Sequence, residues 1–165
     1  MNVSPELIVM VGLPGSGKDY WIDRFLEQNP DKTYHVASTD AIIEELCAKV
    51  GKTYSEGFDE FVKRATVQMN REVSDAIKRR DNIIWNQTNM AAGKRKKILS
   101  QIPRDYRKKV VVVTVDEDIH NARLIARGMT TGKTIPQFVL KNMRESYVEP
   151  SRDEGFDEII FYSAN

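Results

Sequence analysis

Residues 12–18 read GLPGSGK, and they follow the apolar run Leu7–Val11, which reads LIVMV. The pattern G-x-x-x-x-G-K between a buried strand and a helix is typical of a phosphate-binding loop. Glycines let consecutive backbone N–H groups turn toward phosphate oxygens, and the N-terminus of the following helix adds partial positive charge. The loop therefore predicts a nucleotide site in which a lysine reaches the terminal phosphates. Its predicted phosphate-binding residues are Gly12, Pro14, Gly15, Ser16, Gly17, Lys18 and Asp19.

The rest of the chain alternates between short apolar runs and segments with helical spacing of apolar residues. Further strands are predicted at residues 34–37, 83–85, 109–115 and 158–162, and helices at 20–26, 42–46, 58–77, 94–100, 119–128 and 136–147. Parallel neighbours need crossover connections, so the alternation predicts a single α/β domain over residues 1–165. We expect a mostly parallel sheet of about five strands with helices on both faces. Gly128 is the expected end of its helix.

The composition narrows the class of protein. With 165 residues the chain is long enough for one domain, and 41% hydrophobic with 30% charged residues is typical of a globular protein. No apolar run approaches the ~20 residues needed to cross a bilayer, and the N-terminal segment lacks the basic residues of a signal peptide, so we expect no membrane partner. The single cysteine, Cys47, excludes an internal disulfide and a cysteine-built zinc site and favours a cytoplasmic location.

Positive charge is concentrated in the middle of the chain. The net charge is +1, but the segment between Arg71 and Val110 holds twelve Lys or Arg residues against four Asp or Glu residues. This basic segment includes residues 94–97 (KRKK) and, further on, Arg104, Arg107, Lys108 and Lys109. Such a segment fits a phosphate-bearing partner on one face, and it equally fits a lysine-rich helix face in solvent.

Residues that follow strands are the candidates for chemistry, because ligands bind beyond the carboxyl ends of parallel strands. Thr39 and Asp40 follow the second predicted strand and open a helix. In one interpretation Asp40 is only the N-cap of that helix. In the other it faces the γ-phosphate and accepts the proton of an attacking hydroxyl, as phosphoryl transfer to an alcohol requires. One residue can fill both roles.

Two positions depart from the usual metal-binding pattern of a phosphate-binding loop. The residue after Lys18 is normally Ser or Thr, whose hydroxyl holds Mg²⁺, and here it is Asp19. Aspartate suits the first turn of a helix and is also a hard oxygen ligand for Mg²⁺. The third predicted strand ends in the polar tip Asn86–Asn89 (NQTN), which contains no acid. Asp116, after the fourth strand, is interpreted as a loop acid or a helix cap.

Arg123 and Arg127 lie four residues apart, hence on one face of the helix predicted at 119–128. Arginines at this spacing are commonly plain surface charges. Beside a phosphate-binding loop, however, they are candidates for neutralising a transferring phosphoryl group. The next residues, 129–134 (MTTGKT), have the composition of a mobile connection, so we predict a helical lid over about residues 123–147.

Together these pieces resemble the P-loop polynucleotide 5′-hydroxyl kinases nearly from end to end. The resemblance is carried by GLPGSGK, Thr39-Asp40, Gln87-Thr88-Asn89, HNAR at 120–123 with Arg127-Gly128, Ile135-Pro136 and residues 149–156. It implies ATP-dependent phosphorylation of a 5′-hydroxyl on DNA or RNA. The implied catalytic residues are Lys18 on the β- and γ-phosphates, Asp40 as general base, and Arg127 with Arg123 as lid arginines. The implied substrate contacts are Thr39, Gln87, Thr88 and Asn89.

The same motifs, with Asp116-Glu117-Asp118, are similar to the ATPase-like domain of the heterogeneous nuclear ribonucleoprotein U family. That family is regarded as RNA-associated and scaffolding. The likeness implies a different function for the same fold, in which the chain binds nucleotide and RNA without catalysis.

Two residues depart from the kinase pattern. Phage members of that family have an arginine three residues after the general base, where this chain has Ile43, and the group tends to have Asp where this chain has Asn86. We hypothesise that Asp19 and Asn86 exchange the usual roles, so that together they offer Mg²⁺ one carboxylate and one neutral oxygen.

The leading hypothesis is a kinase that uses ATP and Mg²⁺ to phosphorylate a single-stranded DNA or RNA end. One alternative keeps the chemistry and changes the acceptor to a nucleoside, a nucleotide, a hydroxymethylated DNA base or another small alcohol. Another alternative is the non-catalytic, nucleotide-dependent RNA-binding scaffold. No obligate protein partner is inferred from the sequence.

Overall fold

The computed structural model describes residues 3–165, so residues 1 and 2 of the predicted domain lie outside the described residues. Within that range strands and helices alternate along the chain. The strands are β1 (Glu6–Val11), β2 (Tyr34–Ala37), β3 (Asn82–Trp85), β4 (Arg107–Thr114) and β5 (Glu158–Ser163). The helices are α1 (Lys18–Gln28), α2 (Thr39–Lys49), α3 (Tyr54–Lys78), α4 (Ala92–Ser100), α5 (Glu117–Thr131) and α6 (Gln137–Ser146).

The five strands form one sheet in the order β2-β3-β1-β4-β5, and every neighbouring pair is parallel. This confirms the α/β fold with a parallel sheet of five strands. β1 is the central strand, and all six of its residues are buried because helices cover both faces of the sheet. Its register with β4 pairs Glu6 with Arg107 and Val11 with Val112. Because the strands are parallel, the loop after β1 begins at the edge of the sheet where the carboxyl ends of the strands lie.

Alternate residues of β1 point into two separate cores. Leu7 and Val9 belong to the larger core, which α2, α3 and α4 cover. Ile8 and Met10 face the smaller core, where Ile22 of α1 packs. The continuous apolar run of β1 is therefore explained by burial on both faces, as the sequence predicted.

One predicted helix boundary is wrong. Helix α5 continues past Gly128 to Thr131 and ends at Gly132, whose φ of 71° gives the left-handed conformation of a helix C-cap. Gly128 instead allows a close approach, since a Cβ there would lie 3.0 Å from Thr134 Cγ2. None of the helices in residues 3–165 combines the length and the apolar character needed to cross a membrane.

Candidate active site

A cavity of about 500 Å³ opens at the carboxyl ends of β1, β2 and β3. The loop between β1 and α1 forms one wall, and α2 forms the wall opposite. Lys18 and Asp40, which the sequence expected to face each other, line this one cavity. The cavity is within the size range of small-molecule sites.

The loop wall presents unpaired hydrogen-bond donors. Gly15 and Gly17 have φ values of 74° and 115°, which turn the backbone in a way that other residues rarely adopt. In residues 3–165 the backbone N–H groups of Gly15, Gly17, Lys18 and Asp19 have no partner within the protein. The Ser16 hydroxyl is also buried and unpaired. Clustered donors at a helix N-terminus fit a phosphate group, so the residues present suit the nucleotide that the sequence predicted.

Lys18 folds back over the loop. Its Nζ donates hydrogen bonds of 2.8 Å to the carbonyl oxygens of Gly12 and Leu13. Burial lowers the pKa of Lys18 to about 8, although the nearby carboxylates of Asp19 and Asp40 oppose that shift. The ammonium is therefore poorly solvated, and a polyphosphate would supply the negative charge that it lacks.

The two predicted lid arginines have different surroundings. Arg127 lines the cavity, and its Nε and Nη2 are buried without a partner. Its guanidinium lies over the loop, because a Cβ on Gly15 would be 3.7 Å from Arg127 Cζ. Arg123 does not line the cavity, and its Nη2 donates a 2.6 Å hydrogen bond to the Ala164 carbonyl. The arrangement makes Arg127 available to phosphate, whereas Arg123 holds the chain after β5.

Asp40 is not the N-cap of α2, a role that the sequence left open. Ser38 is the N-cap of α2, and its hydroxyl accepts a 3.2 Å hydrogen bond from Ala41 N–H. The Asp40 carboxylate, half exposed in the cavity, accepts instead a 2.7 Å hydrogen bond at Oδ1 from the Tyr54 hydroxyl. Burial, followed by the charge of Asp40, raises the pKa of Tyr54. The phenol therefore keeps its proton and fixes the orientation of the carboxylate.

Lys133 approaches Asp40 from the segment between α5 and α6. Its Nζ lies 3.0 Å from Glu44 Oε1, 3.4 Å from Asp40 Oδ2 and 4.2 Å from the centroid of the Tyr54 ring. The side chain is buried, with only 10% exposed. This segment was expected to be a mobile connection. In the structure it packs against α3, where Thr134 N–H donates a 2.9 Å hydrogen bond to Ser55 Oγ.

Asp19 and Asn86 meet at the mouth of the cavity. Asn86 Nδ2 donates a 2.8 Å hydrogen bond to Asp19 Oδ1, and Asn86 Oδ1 is buried without a partner. No group of three or more His, Cys, Asp or Glu side chains within residues 3–165 is arranged to hold a metal ion. A carboxylate and an amide oxygen suit Mg²⁺, which is commonly held by one or two protein oxygens together with phosphates and water.

The polar tip after β3 splits into two parts. Gln87 and Thr88 line the cavity, and Gln87 Nε2 donates a 3.1 Å hydrogen bond to Thr39 Oγ1. Thr39 and Asn89 are not among the lining residues of the described chain. Asn89 is 1% exposed and donates a 2.8 Å hydrogen bond to the Met10 carbonyl. In this structure Asn89 is therefore buried beside the end of β1, which it stabilises, and it lies outside the cavity lining.

Two parts of the predicted basic segment lie away from the surface around the cavity. Arg95 is fully buried and pairs with Glu154 over 2.8 Å, while also donating to the carbonyls of Asn89, Met90 and Val148. Residues 107–109 begin β4 at the amino edge of the sheet, opposite the cavity. Arg95 is therefore not available to a polyanion, and residues 107–109 are not beside the cavity.

His120 is a site residue that sequence reasoning noted only as part of a motif. The ring is buried, and its Nε2–H donates a 2.7 Å hydrogen bond to the Pro14 carbonyl in the phosphate-binding loop. Burial lowers the pKa of His120, with Arg144 acting in the same direction. The neutral ring of His120 therefore stabilises the phosphate-binding loop through this hydrogen bond.

Comparison with known proteins agrees with this geometry. A family model described as AAA domain matches residues 7–150. The chain is 29% identical over 160 residues to human heterogeneous nuclear ribonucleoprotein U-like protein 2, covering 94% of this chain and 21% of that protein. It is 26% identical over 157 residues to a putative bifunctional polynucleotide phosphatase/kinase of Acanthamoeba polyphaga mimivirus, covering 93% of this chain and 32% of that protein. The chain thus spans a third or less of the length of these relatives.

The fold is also similar to that of a putative kinase from Chloroflexus aurantiacus. The two structures superpose with a TM-score of 0.70 at 12% sequence identity, covering 97% of this chain and 85% of that one. At that identity the likeness concerns the fold. The family match and this shared fold together confirm the predicted resemblance to P-loop kinases. The chain is a kinase-like, nucleotide-binding P-loop domain.

Proposed function

The chain belongs to the AAA domain family, and from this premise we propose that it is an ATP-dependent phosphotransferase that phosphorylates the 5′-hydroxyl end of DNA or RNA. One observation carries the proposal. The Asp40 carboxylate, held by Tyr54 and free of capping, shares a cavity with the unpaired donors of the phosphate-binding loop. A base opposite a phosphate site is the requirement for transfer to an alcohol.

In this reaction Asp40 removes the proton of the acceptor hydroxyl. The acceptor oxygen bonds to the γ-phosphorus, and the bond from that phosphorus to the bridging oxygen breaks, which leaves ADP. Lys18 and Arg127 neutralise the charge on the transferring group, and the N–H groups of Gly15 and Gly17 hold the phosphates. Tyr54 keeps the carboxylate oriented toward the hydroxyl.

Asp19 and Asn86 are proposed to hold Mg²⁺. When bound, the ion reduces the negative charge of the nucleotide phosphates. The Asp19 carboxylate and the unpaired Asn86 Oδ1 are the oxygens available for it. Residues 123–147 are proposed to act as the lid, with Arg127 as their phosphate-binding side chain. A cytoplasmic location is part of the proposal, because the one cysteine, Cys47, is a buried free thiol.

The nucleic-acid acceptor is supported by the similarity to the viral polynucleotide phosphatase/kinase. It is tested by incubating the protein with γ-labelled ATP and single-stranded oligonucleotides of DNA and RNA. We expect label on oligonucleotides with a free 5′-hydroxyl and none on the same oligonucleotides with a 5′-phosphate. Absence of label from every oligonucleotide would contradict the proposal.

Two alternatives are favoured by specific observations and are separated by the same assay. Besides Asp40, Asp23 and Glu44 line the cavity, and their negative charge favours a small uncharged alcohol as the acceptor. That function predicts label on nucleosides and none on oligonucleotides. The 29% identity to a heterogeneous nuclear ribonucleoprotein U-like protein favours a non-catalytic module. That function predicts ATP binding with no labelled product.

A further inference from the structure

The acceptor side of the cavity is short of positive charge. The cations that line the cavity within residues 3–165 are Lys18, Arg127 and Lys133, and the first two lie on the phosphate-binding loop side. Helix α2, which carries Asp40, contributes none, because its lining residues are Asp40, Ala41 and Glu44. The basic residues 107–109 lie at the opposite edge of the sheet. Lys133 is therefore the cation beside the proposed base.

Lys133 is shared between two carboxylates that are not equivalent. Its Nζ is closer to Glu44 Oε1, at 3.0 Å, than to Asp40 Oδ2, at 3.4 Å. Glu44 lies one helical turn after Asp40 on α2. It neutralises the charge of Lys133, while Asp40 remains the proposed general base. The Glu44 side chain is 54% exposed, and water can hydrate its carboxylate once the lysine has left it.

The position of Lys133 lets its ammonium exchange partners. The preceding Gly132 ends α5 with φ of 71°, and the lysine side chain lies across the Tyr54 ring. The ring face attracts the ammonium whichever anion it contacts. An acceptor that carries a phosphate next to its hydroxyl can therefore take the place of Glu44 while the hydroxyl meets Asp40.

We infer that Lys133 is the residue by which the cavity selects acceptors with a phosphate beside the reacting hydroxyl, and that Glu44 is its partner when no acceptor is bound. This inference rests on the proposed phosphotransferase function and deepens it. It predicts that the cavity distinguishes a nucleic-acid end from a nucleoside by the internucleotide phosphate and not by the nucleobase.

The test compares two acceptors that share one 5′-hydroxyl: a nucleoside and the same nucleoside with a 3′-phosphate. Lys133→Met should raise the KM for the phosphorylated acceptor about ten- to a hundredfold, the size expected for losing a charged hydrogen bond. Because Lys133 also contacts Asp40, Lys133→Met changes the rate with both acceptors, so the deciding quantity is the ratio of their KM values. The KM for the nucleoside should rise at least about tenfold less than the KM for the phosphorylated acceptor, and Lys133→Arg, which keeps the positive charge, should restore part of the difference. Glu44→Gln should act in the opposite direction and lower the KM for the phosphorylated acceptor.

Equal effects of Lys133→Met on both acceptors, or a raised KM for ATP, would overturn the inference and leave the phosphotransferase standing. If the wild type transfers phosphate to neither acceptor, the proposed function fails. In that case calorimetric titration of the phosphorylated acceptor, with a non-hydrolysable ATP analogue present, still decides the inference. Weaker binding to Lys133→Met than to the wild type supports it, and equal binding or no binding overturns it.

Discussion

Asn86 donates its amide Nδ2–H to Asp19 Oδ1 over 2.8 Å, although 67 residues separate the two in the sequence. The contact joins the first turn of α1 to the tip of β3. It leaves Asn86 Oδ1 unpaired and Asp19 with a charge that the amide does not neutralise. One carboxylate and one neutral oxygen thus stand together at the cavity.

The contact between Asp19 and Asn86 predicts that the acidic and the neutral residue can be exchanged between the two positions. Asp19→Ser alone should weaken the Mg²⁺ dependence of ATP binding, because the carboxylate is lost. Asn86→Asp alone should destabilise the site by placing two carboxylates in contact. The double variant restores one acid and one neutral oxygen and should recover most of the Mg²⁺ effect. Titration of ATP binding at several Mg²⁺ concentrations measures the coupling, and additive single effects would contradict the pairing.

Asp40→Asn should reduce phosphoryl transfer by about 10²- to 10⁴-fold, the usual contribution of a general base. ATP binding should stay within a few-fold, since the amide keeps the shape of the side chain and the phosphate-binding loop is unchanged. The matched control is Glu45→Gln on the same helix, whose exposed carboxylate pairs with Lys49 one helical turn away. Initial rates and nucleotide titrations measure both effects. A normal rate for Asp40→Asn would remove Asp40 from the chemistry.

ATP affinity should fall as the pH rises through about 8, because Lys18 has a pKa of about 8 in the nucleotide-free protein. Below that pH the ammonium is already present, and above it binding must take up a proton. At the limit the affinity falls about tenfold for each pH unit. Calorimetry in buffers of different ionisation enthalpy detects the proton uptake. The uptake should disappear in Lys18→Met, and a proton uptake that persists there would assign it to another group.

Arg95→Met should lower the free energy of unfolding by about 3–5 kcal/mol, because it leaves Glu154 without its buried partner. It also removes the donors to the carbonyls of Asn89 and Val148. Lys96→Met, an exposed change on the same helix, should stay within about 0.5 kcal/mol. Urea unfolding of both variants compares them. Equal stability of the two would show that the buried pair contributes little.

The difference between Arg95 and Lys96 shows why the sequence alone does not predict which cations of the basic segment are exposed. In the sequence KRKK at 94–97 the four cations look alike, and burial of one of them depends on where Glu154 and the chain around Val148 fold back. Similarly, whether Lys109 faces the cavity depends on the direction of β4. Because β4 is parallel to β1, its first residues lie at the edge away from the phosphate-binding loop.

The phosphate-binding loop was readable from the sequence because its donors, glycines and lysine are contiguous, so local geometry alone brings them together. The parallel sheet was readable for a similar reason, since each buried strand and each helix is a local pattern. The surroundings of Asp40 could not be predicted from the sequence. Tyr54 lies 14 residues from it and Lys133 lies 93 residues from it. Distant side chains meet only when the strand order and the helix packing are fixed, and packing, not local preference, decides which carboxylate pairs with which cation.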